Sequence, residues 1–507
     1  MLRILGSARQ LCHGITRREM LRAGGLGLAA LGGVDLALPD LLRLSESAAA
    51  ESTARPRSFG RAKAVILLHL YGSPSQIETF DPKPDAPVEI RGELKSIDSS
   101  LPGCQVCELL PNSARVMDRT TVLRSLTHPY PLHGVAFALT GTPTIDGAME
   151  LSPRDPRHWP FFGSVVDFVD RNAGRRRDVP ANIAMPFPFS SRRVGEVPRA
   201  GPYAAFLGAE HNPVWTDFVG QGTKGITKTL EQKKYTEHDP YMGSTADSYF
   251  VVPSATTLEA DVTLDRLSRR RSLLEQFDVA RRRAGVGQLA ATSAGREFDR
   301  HQQSAFTLLE SGKLRTALDI RQEKLESREL YGDTLFGQSC LAARRLVEAG
   351  SRVVTVFWDE FGLAGSAWDT HWNHYQRMRE ELCPGFDRAW YGLITDLDRR
   401  GMLDDTLVVC TSEHGRTPKL SNDKGGGRDH WSRVYSSLVA GGGTARGRVV
   451  GASDKQGGDV ARTPISPKDL LTTMYHLLGI DPHSIVRDAL GRPLPLVDGH
   501  VIGEALA

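Results

Sequence analysis

Short apolar runs that alternate with helical stretches constrain the fold of this 507-residue chain more than any other feature. Four runs are short, β-branched and apolar, which predicts buried strands: Ala62 to Leu70, Thr120 to Leu126, Arg352 to Trp358 and Thr406 to Thr411. Helical periodicity lies between them, most clearly in Leu335 to Ala349 and in Glu381 to Arg400, each followed by a glycine. This alternation predicts an α/β fold with a largely parallel sheet.

Charge and composition indicate which classes of binding partner to expect. Charged residues make up 24% of the chain and the net charge is +3, so no electrostatic preference for nucleic acid or anionic lipid follows. After the N-terminal region, no stretch approaches the ~18 uninterrupted apolar residues that a membrane span needs. We therefore expect no nucleic-acid partner and no integral membrane segment in the mature chain.

The N-terminus resembles an export signal. Thr16 to Arg22 contains two adjacent arginines, and a glycine-rich apolar stretch follows from Ala23 to Leu38. This pattern is typical of a twin-arginine signal, with cleavage near Ala48-Ala49-Ala50 or, as the alternative, near Leu36-Ala37. We predict a signal region at residues 1–50 and a periplasmic or cell-surface location.

Three clusters of metal-capable side chains occupy the last third of the chain. They are Trp368-Asp369-Thr370-His371-Trp372-Asn373-His374, Ser412-Glu413-His414-Gly415-Arg416-Thr417-Pro418 and Gly427-Arg428-Asp429-His430-Trp431. The first two clusters follow predicted strands, and loops at the carboxyl ends of parallel strands meet at one edge of a sheet. Asp, Glu and His supply the oxygen and nitrogen donors that divalent metals use, so the clusters predict a metal site at this edge.

Four further segments belong with these clusters: Gly72 to Pro84, Leu139-Thr140-Gly141, Tyr331-Gly332 and Phe336 to Gly350. Together they resemble the bacterial family called domain of unknown function 1501, which is related to sulfatases and alkaline phosphatases. The resemblance covers nearly the whole mature chain. It implies an alkaline-phosphatase-like α/β domain at 61–507, with helices flanking a mainly parallel central sheet. A linker is predicted at 51–60, and a loop- and helix-rich cap or insertion at 145–330.

The resemblance also implies a ligand set. In the wider superfamily, two divalent metals are held by an Asp after the first strand, an Asp-His group, an adjacent Asp-His pair and a late His. The matching residues here are Asp369 with His371 or His374, then Glu413 with His414, and finally His430. The implied cofactor is one or two divalent ions, and Zn, Mn, Mg and Ca all fit mixed His and carboxylate ligands.

Two departures concern these ligands. The first strand ends in His69-Leu70-Tyr71 where metal-binding relatives place an Asp, so that ligand is His69, Glu78 or Asp81, or is missing. The spacing between Asp369 and the histidines after it also differs from that of alkaline phosphatases.

A third departure concerns the nucleophile. Before Leu139-Thr140-Gly141 the chain reads Pro131-Leu132-His133-Gly134, with no hydroxyl or thiol at the superfamily's nucleophile position. One hypothesis is an exported metal-dependent hydrolase of phosphate or sulfate esters, in which metal-bound water or His133 replaces that group. Arg416, with Arg428, would then grip the tetrahedral anion.

The other hypothesis is a non-catalytic relative that binds an anionic glycan or a partner protein at the cell surface. The expected ligand is accordingly a small anionic ester or a sulfated or phosphorylated glycan. Cys340 fits the pattern of a formylglycine-forming sulfatase cysteine, but its helical context favours core packing. We expect the three tryptophans of the clusters to wall the pocket or pack in the core, with sugar stacking as the alternative.

Overall fold

The apolar segment Ala64–Leu70 forms a central strand of an eight-stranded sheet, and all seven of its residues are buried. In chain order the strands are β1 (Ala64–Leu70), β2 (Thr120–Leu126), β3 (Asn182–Met185), β4 (Val214–Trp215), β5 (Val353–Trp358), β6 (Thr406–Thr411), β7 (Tyr435–Ala440) and β8 (Arg448–Val450). Across the sheet they lie in the order β8-β2-β7-β6-β1-β5-β3-β4. Of these strands only β7 runs antiparallel to its neighbours, so the sheet is mainly parallel, as predicted.

These bounds come from a computed structural model that describes residues 57–507 except 134, 143–146, 154, 156, 176, 195–198, 231, 254–275, 277–307, 309–310, 363–366, 423–424 and 489. The predicted signal region and most of the predicted linker lie outside the described residues. Residues Ser58–Ala507 form one compact unit. Nowhere in the described part does a helix reach the length and apolarity required to cross a membrane.

Helices flank the sheet, the longer ones being α1 (Phe162–Asn172), α2 (Leu335–Ala349), α3 (Cys383–Arg399) and α4 (Pro467–Leu477). Helix α2 begins where the Thr334 side chain accepts a hydrogen bond from Gly337 N, and it ends at Gly350, whose φ is 113°. Helix α4 begins with a capping box between Ser466 and Asp469. These local signals account for the agreement between the predicted and observed bounds of α2.

Shorter elements complete the fold. Short helical segments are Val88–Arg91, Pro111–Ala114, Met117–Arg119, Val135–Thr140, Gly147–Glu150, Ala205–Leu207, Ala209–His211, Gly312–Leu318, Ile320–Gln322, Leu325–Tyr331, His374–Arg377, Met378–Leu382 and Gly503–Ala505. Strand pairs outside the sheet are Ser96–Asp98 with Gln105–Cys107, Asp217–Val219 with Tyr249–Val251, Gly222–Leu230 with Lys233–Ser244, Gly415–Arg416 with His430–Trp431, Ala452–Ser453 with Val460–Arg462, and Ile485–Arg487 with Pro493–Pro495. The described part of residues 145–330 contains α1, β3 and β4. That this segment forms a cap or insertion stays a prediction.

The topology gathers the predicted site at one edge. Strands β1, β2, β5 and β6 point the same way, so the loops after them meet at their carboxyl ends. The pair Gly415–Arg416 and His430–Trp431 brings the third cluster to the second, with Arg416 opposite His430.

Arg416 connects the loops at this edge of the sheet through hydrogen bonds. Its side chain is fully buried, and its guanidinium donates to the Ser73 carbonyl (3.0 Å) and the Arg428 carbonyl (3.1 Å). The same guanidinium donates to the Gly72 carbonyl and to Asp369 Oδ1. One buried cation therefore connects the loop after β1, the loop after β5 and the hairpin after β6.

Gly72 provides the close approach that this arrangement needs. Its φ is +94°, and a Cβ atom there would lie 2.4 Å from the backbone nitrogen of Asp369 and 2.8 Å from that of Trp368. Both contacts are with backbone, which cannot swing aside as a flexible side chain would. Only glycine therefore fits between β1 and the Asp369 loop.

We expect Gly72→Ala to lower the free energy of unfolding by about 3 kcal/mol, because overpacking adds to the cost of a positive φ. Gly174 is the matched control, since its φ is +71° and a Cβ there would contact nothing within 4 Å. Gly174→Ala should cost only about 1–2 kcal/mol. Urea unfolding of both variants measures this, and equal losses would show that the contact with the Asp369 loop is unimportant.

We expect Arg416→Lys to lower the free energy of unfolding by about 3–5 kcal/mol, although it keeps the charge. Lysine lacks the planar fork that reaches four acceptors, so several buried carbonyl and carboxylate oxygens would lose their donors. The control is Arg433→Lys, because Arg433 forms an exposed ion pair with Asp459 and should cost less than about 1 kcal/mol. Similar urea midpoints for the two variants would contradict this account.

Candidate functional site

Two buried histidines form the inner half of a cluster at this edge. His133 Nδ1 donates to Glu413 Oε1 (2.9 Å), and His414 Nδ1 donates to the Gly415 carbonyl (2.8 Å). The His133 and His414 ring centroids are 5.2 Å apart. Because each Nδ1 carries the proton for its own hydrogen bond, each Nε2 is left as a potential ligand atom.

Two half-exposed histidines form the outer half. His371 Nδ1 donates to Asp429 Oδ1 (2.7 Å), and His430 Nδ1 donates to the Pro131 carbonyl (3.2 Å). Their Nε2 atoms are 3.1 Å apart, and Asp369 Oδ1 lies 2.9 Å from His371 Nε2 and 3.4 Å from His430 Nε2. Lone pairs and a carboxylate this close repel one another unless a cation or a proton lies between them.

Glu413 is the most constrained carboxylate of the cluster. Besides His133, its Oε1 accepts from the Gly72 backbone nitrogen (2.7 Å), and its Oε2 lies 3.6 Å from His69 Nε2. Its carbonyl accepts from His128 Nε2 at 2.6 Å. Strand β1, the loop after it and the loop after β2 thus fix this one residue in side chain and backbone.

The pKa shifts describe the same balance of charge. Burial raises the pKa of Glu413, but the hydrogen bond from His133 and the nearby histidines outweigh it and lower the pKa to about 2. Burial lowers the pKa of His133, yet hydrogen bonds with Asp369 and Glu413 raise it to about 9. Burial holds the pKa of His414 well below its usual value. In the absence of a cation, the cluster therefore keeps a proton on His133.

These residues fit a divalent metal. Potential ligand atoms of His133, Asp369, His371 and His430 lie within 4.8 Å of one another, as do those of His133, Glu413 and His414. His414 Nε2 and Glu413 Oε2 are buried and make no hydrogen bond within the described part of the chain. A histidine that binds a metal through one ring nitrogen usually donates its other ring N–H to a carboxylate or carbonyl, as the Nδ1 atoms of these histidines do.

Other predicted residues lie behind this cluster. His374 Nδ1 bonds Thr370 Oγ1 (2.8 Å), and its Nε2 lies 3.3 Å from Glu78. Arg428 pairs with Glu78 and donates to the Thr417 carbonyl (2.9 Å) and the Ile90 carbonyl (2.7 Å). Hence His371, not His374, approaches Asp369, and both Arg416 and Arg428 are bound to protein acceptors.

The three candidates for the metal ligand near the first strand lie in different surroundings. Glu78 is bound to Arg428 and His374, and Asp81 contacts Lys83 (2.9 Å) and Ser453. His69 alone of the three contacts the cluster, through Glu413. No sequence motif singles out His69, and only its place at the end of β1 marks it.

Two residues that the sequence left ambiguous, Cys340 and Trp368, are buried in the core. Trp431 is partly buried and donates its Nε1–H to the Gly458 carbonyl (2.7 Å). Trp372, in contrast, is 57% exposed. His128, which bonds the Glu413 carbonyl, was not predicted, because a lone histidine before Pro129 carries no recognisable spacing.

Comparison with solved structures gives low similarity. Ps i-CgsB is 13% identical with a TM-score of 0.38, covering 86% of this chain and 75% of that one. PsFucS1 sulfatase from Pseudoalteromonas sp. is 11% identical, with a TM-score of 0.35 and coverage of 88% and 72%. The phosphonate monoester hydrolase SpPMH from Silicibacter pomeroyi is 11% identical, with a TM-score of 0.32 and coverage of 87% and 75%. Values this low carry no argument about activity or substrate.

No curated protein sequence matches the chain. The family described as Protein of unknown function (DUF1501) matches residues 62–506, nearly all of the part that contains the sheet and the cluster. The predicted α/β fold class, with helices flanking a mainly parallel central sheet, is confirmed; its likeness to alkaline phosphatases stays a prediction. The chain belongs to the DUF1501 family.

Proposed function

We propose that the protein is a divalent-metal-dependent hydrolase of phosphate or sulfate esters. The observation that carries the proposal is the convergence of two groups of metal-capable side chains at the carboxyl edge of the sheet, Asp369 with His371 and His430 and Glu413 with His414, on either side of His133. The twin-arginine signal and the periplasmic or cell-surface location stay predictions from the sequence.

The donor set bears on the metal. Imidazole nitrogens outnumber carboxylates in the cluster, which favours zinc over magnesium and calcium, since the latter prefer oxygen ligands. Asp369, His371 and His430 would form the outer group of ligands, and Glu413 with His414 the inner one; His133 lies between the two groups, and its Nε2 would be kept for proton transfer. A bound divalent ion supplies positive charge to ester oxygens and lowers the pKa of water.

His133 is the residue that we assign to proton transfer. Its Nδ1–H is fixed on Glu413, and its Nε2 lies 3.3 Å from Asp369 Oδ2. As water attacks phosphorus or sulfur, its proton passes to His133 Nε2, and as the ester bond breaks the departing oxygen takes up that proton from His133. The products are an alcohol and free phosphate or sulfate. Asp369 and Glu413 orient the histidines, and Arg416 positions Asp369 from below.

The alternative function, binding of an anionic ligand without turnover, is favoured by one observation. Arg416 and Arg428, the side chains expected to grip an anion, are fully buried and bonded to protein oxygens. A metal would then be the main positive charge available to such a ligand at the cluster.

The test combines metal analysis with turnover. Protein purified without chelator should contain about one or two equivalents of metal and should hydrolyse an aryl phosphate or an aryl sulfate. His414→Ala and His430→Ala should each lower metal content and reduce kcat/KM by more than about 100-fold, since even outer partners of a metal site cost about 10- to 100-fold.

His500→Ala is the matched control, because the His500 side chain is 99% exposed. It should leave metal content and turnover unchanged. Metal-free wild-type protein would reject the metal site. Metal-loaded protein whose aryl ester turnover is absent, or is insensitive to the two substitutions, would reject the hydrolase and support the binding function.

A further inference from the structure

Trp372 presents a large apolar ring to solvent beside the cluster. Its side chain is 57% exposed, and its ring lies nearly parallel to that of His371, with centroids 6.2 Å apart and an interplanar angle of 24°. Its sequence neighbours are polar: Asn373 is exposed, and His371 bonds the Asp429 carboxylate, which is 76% exposed. The ring thus lies next to a potential metal ligand.

The backbone around Trp372 is held tightly. Asn373 has a φ of +49°, a left-handed conformation that is uncommon for a residue with a side chain. The next two backbone nitrogens donate to the carbonyls of Gly426 and Gly425, and Arg428 N donates to the Thr370 carbonyl (3.1 Å). Both ends of the turn are fixed, so the exposure of Trp372 belongs to an ordered loop.

A close backbone contact with the glycine-rich segment 425–428 keeps the turn from moving so as to bury Trp372. A Cβ atom on Gly427 would lie 1.9 Å from the His371 carbonyl oxygen. The segment 425–428 therefore packs directly on the backbone that carries His371 and Trp372. Burying the tryptophan would require breaking this packing together with the hydrogen bonds described above.

Trp372 is isolated, which decides between two kinds of partner. In the described parts of the loops that carry the cluster, Trp372 is the one large aliphatic or aromatic residue that is exposed, and the others are at least partly buried. Protein and membrane surfaces are bound by contiguous apolar patches, not by a single ring among polar groups. A lone aromatic ring with polar neighbours suits a ligand ring that has one apolar face.

Resting on the proposed function, we propose that Trp372 is a subsite for the organic part of the ester, stacking on an aryl or pyranose ring while the anion lies at the histidine cluster. The aryl ring and the apolar face of a sugar offer the same chemistry to the indole. The subsite selects esters with a ring close to the anion over esters with a short alkyl group.

The experiment measures binding of phosphonates, whose carbon–phosphorus bond resists ester hydrolysis. Methylphosphonate probes the anion site alone, phenylphosphonate adds an aryl ring, and the phosphonate analogue of glucose 6-phosphate adds a pyranose. Calorimetry on metal-loaded wild-type protein should give a dissociation constant about tenfold lower for at least one ring ligand than for methylphosphonate. The ring that benefits identifies the source.

Trp372→Ala should abolish this preference and leave methylphosphonate affinity and metal content unchanged, whereas Trp372→Phe should retain part of it. Leu325→Ala, at a 62% exposed side chain outside these loops, is the control and should keep the full preference.

A wild-type protein that binds methylphosphonate but shows no preference for either ring overturns the subsite and spares the anion site. Absence of binding by all three phosphonates overturns both. A preference that persists in Trp372→Ala, or Trp372-dependent binding to phosphatidylcholine vesicles without any ring preference, also overturns the subsite.

Discussion

The buried guanidinium of Arg416 is the constraint on which the candidate site depends. It donates to the carbonyls of Gly72, Ser73 and Arg428 and to the Asp369 carboxylate. It therefore connects three loops that are far apart in the sequence. Removing a charge from water is costly unless its donors are satisfied, and here four acceptors satisfy them. This explains why the residue is fully buried and why it cannot also bind a ligand without giving up these bonds.

The histidine geometry follows from that framework. Asp369 is held from below by Arg416 and meets the Nε2 atoms of His371 and His430 from the side. Burial raises the pKa of Asp369, but the surrounding histidines and Arg416 lower it strongly, so the carboxylate stays ionised. An ionised carboxylate and inward-facing imidazoles form an electrostatically incomplete cluster, which the proposed divalent ion would complete.

Much of the fold could be predicted because local sequence specifies it. Strand β1 is apolar except for His69, and α2 has a threonine cap and a terminal glycine, so both carry their own signals. The antiparallel direction of β7 could not be predicted, since direction depends on pairing with β2 and β6 and leaves no trace in Tyr435–Ala440 itself.

The site was predictable in outline only. Clusters after strands place Asp369 and Glu413 at one edge, and the family resemblance adds His430, but spacing does not distinguish His371 from His374. The left-handed turn at Asn373 sends these two histidines in different directions. Arg416 and Arg428 likewise resemble anion ligands in sequence, and only their three-dimensional partners reveal that they support the loops. His69 and His128 act through contacts with Glu413 that no local pattern records.

The proposed metal site is tested most directly by anomalous diffraction from crystals of the protein grown without chelator, with data collected on both sides of the zinc and manganese absorption edges. A metal at this site predicts an anomalous peak about 2.0–2.3 Å from the Nε2 atoms of His371 and His430 and from an Asp369 oxygen. A well-ordered cluster without a peak, with His371 and His430 turned away from each other, would contradict it.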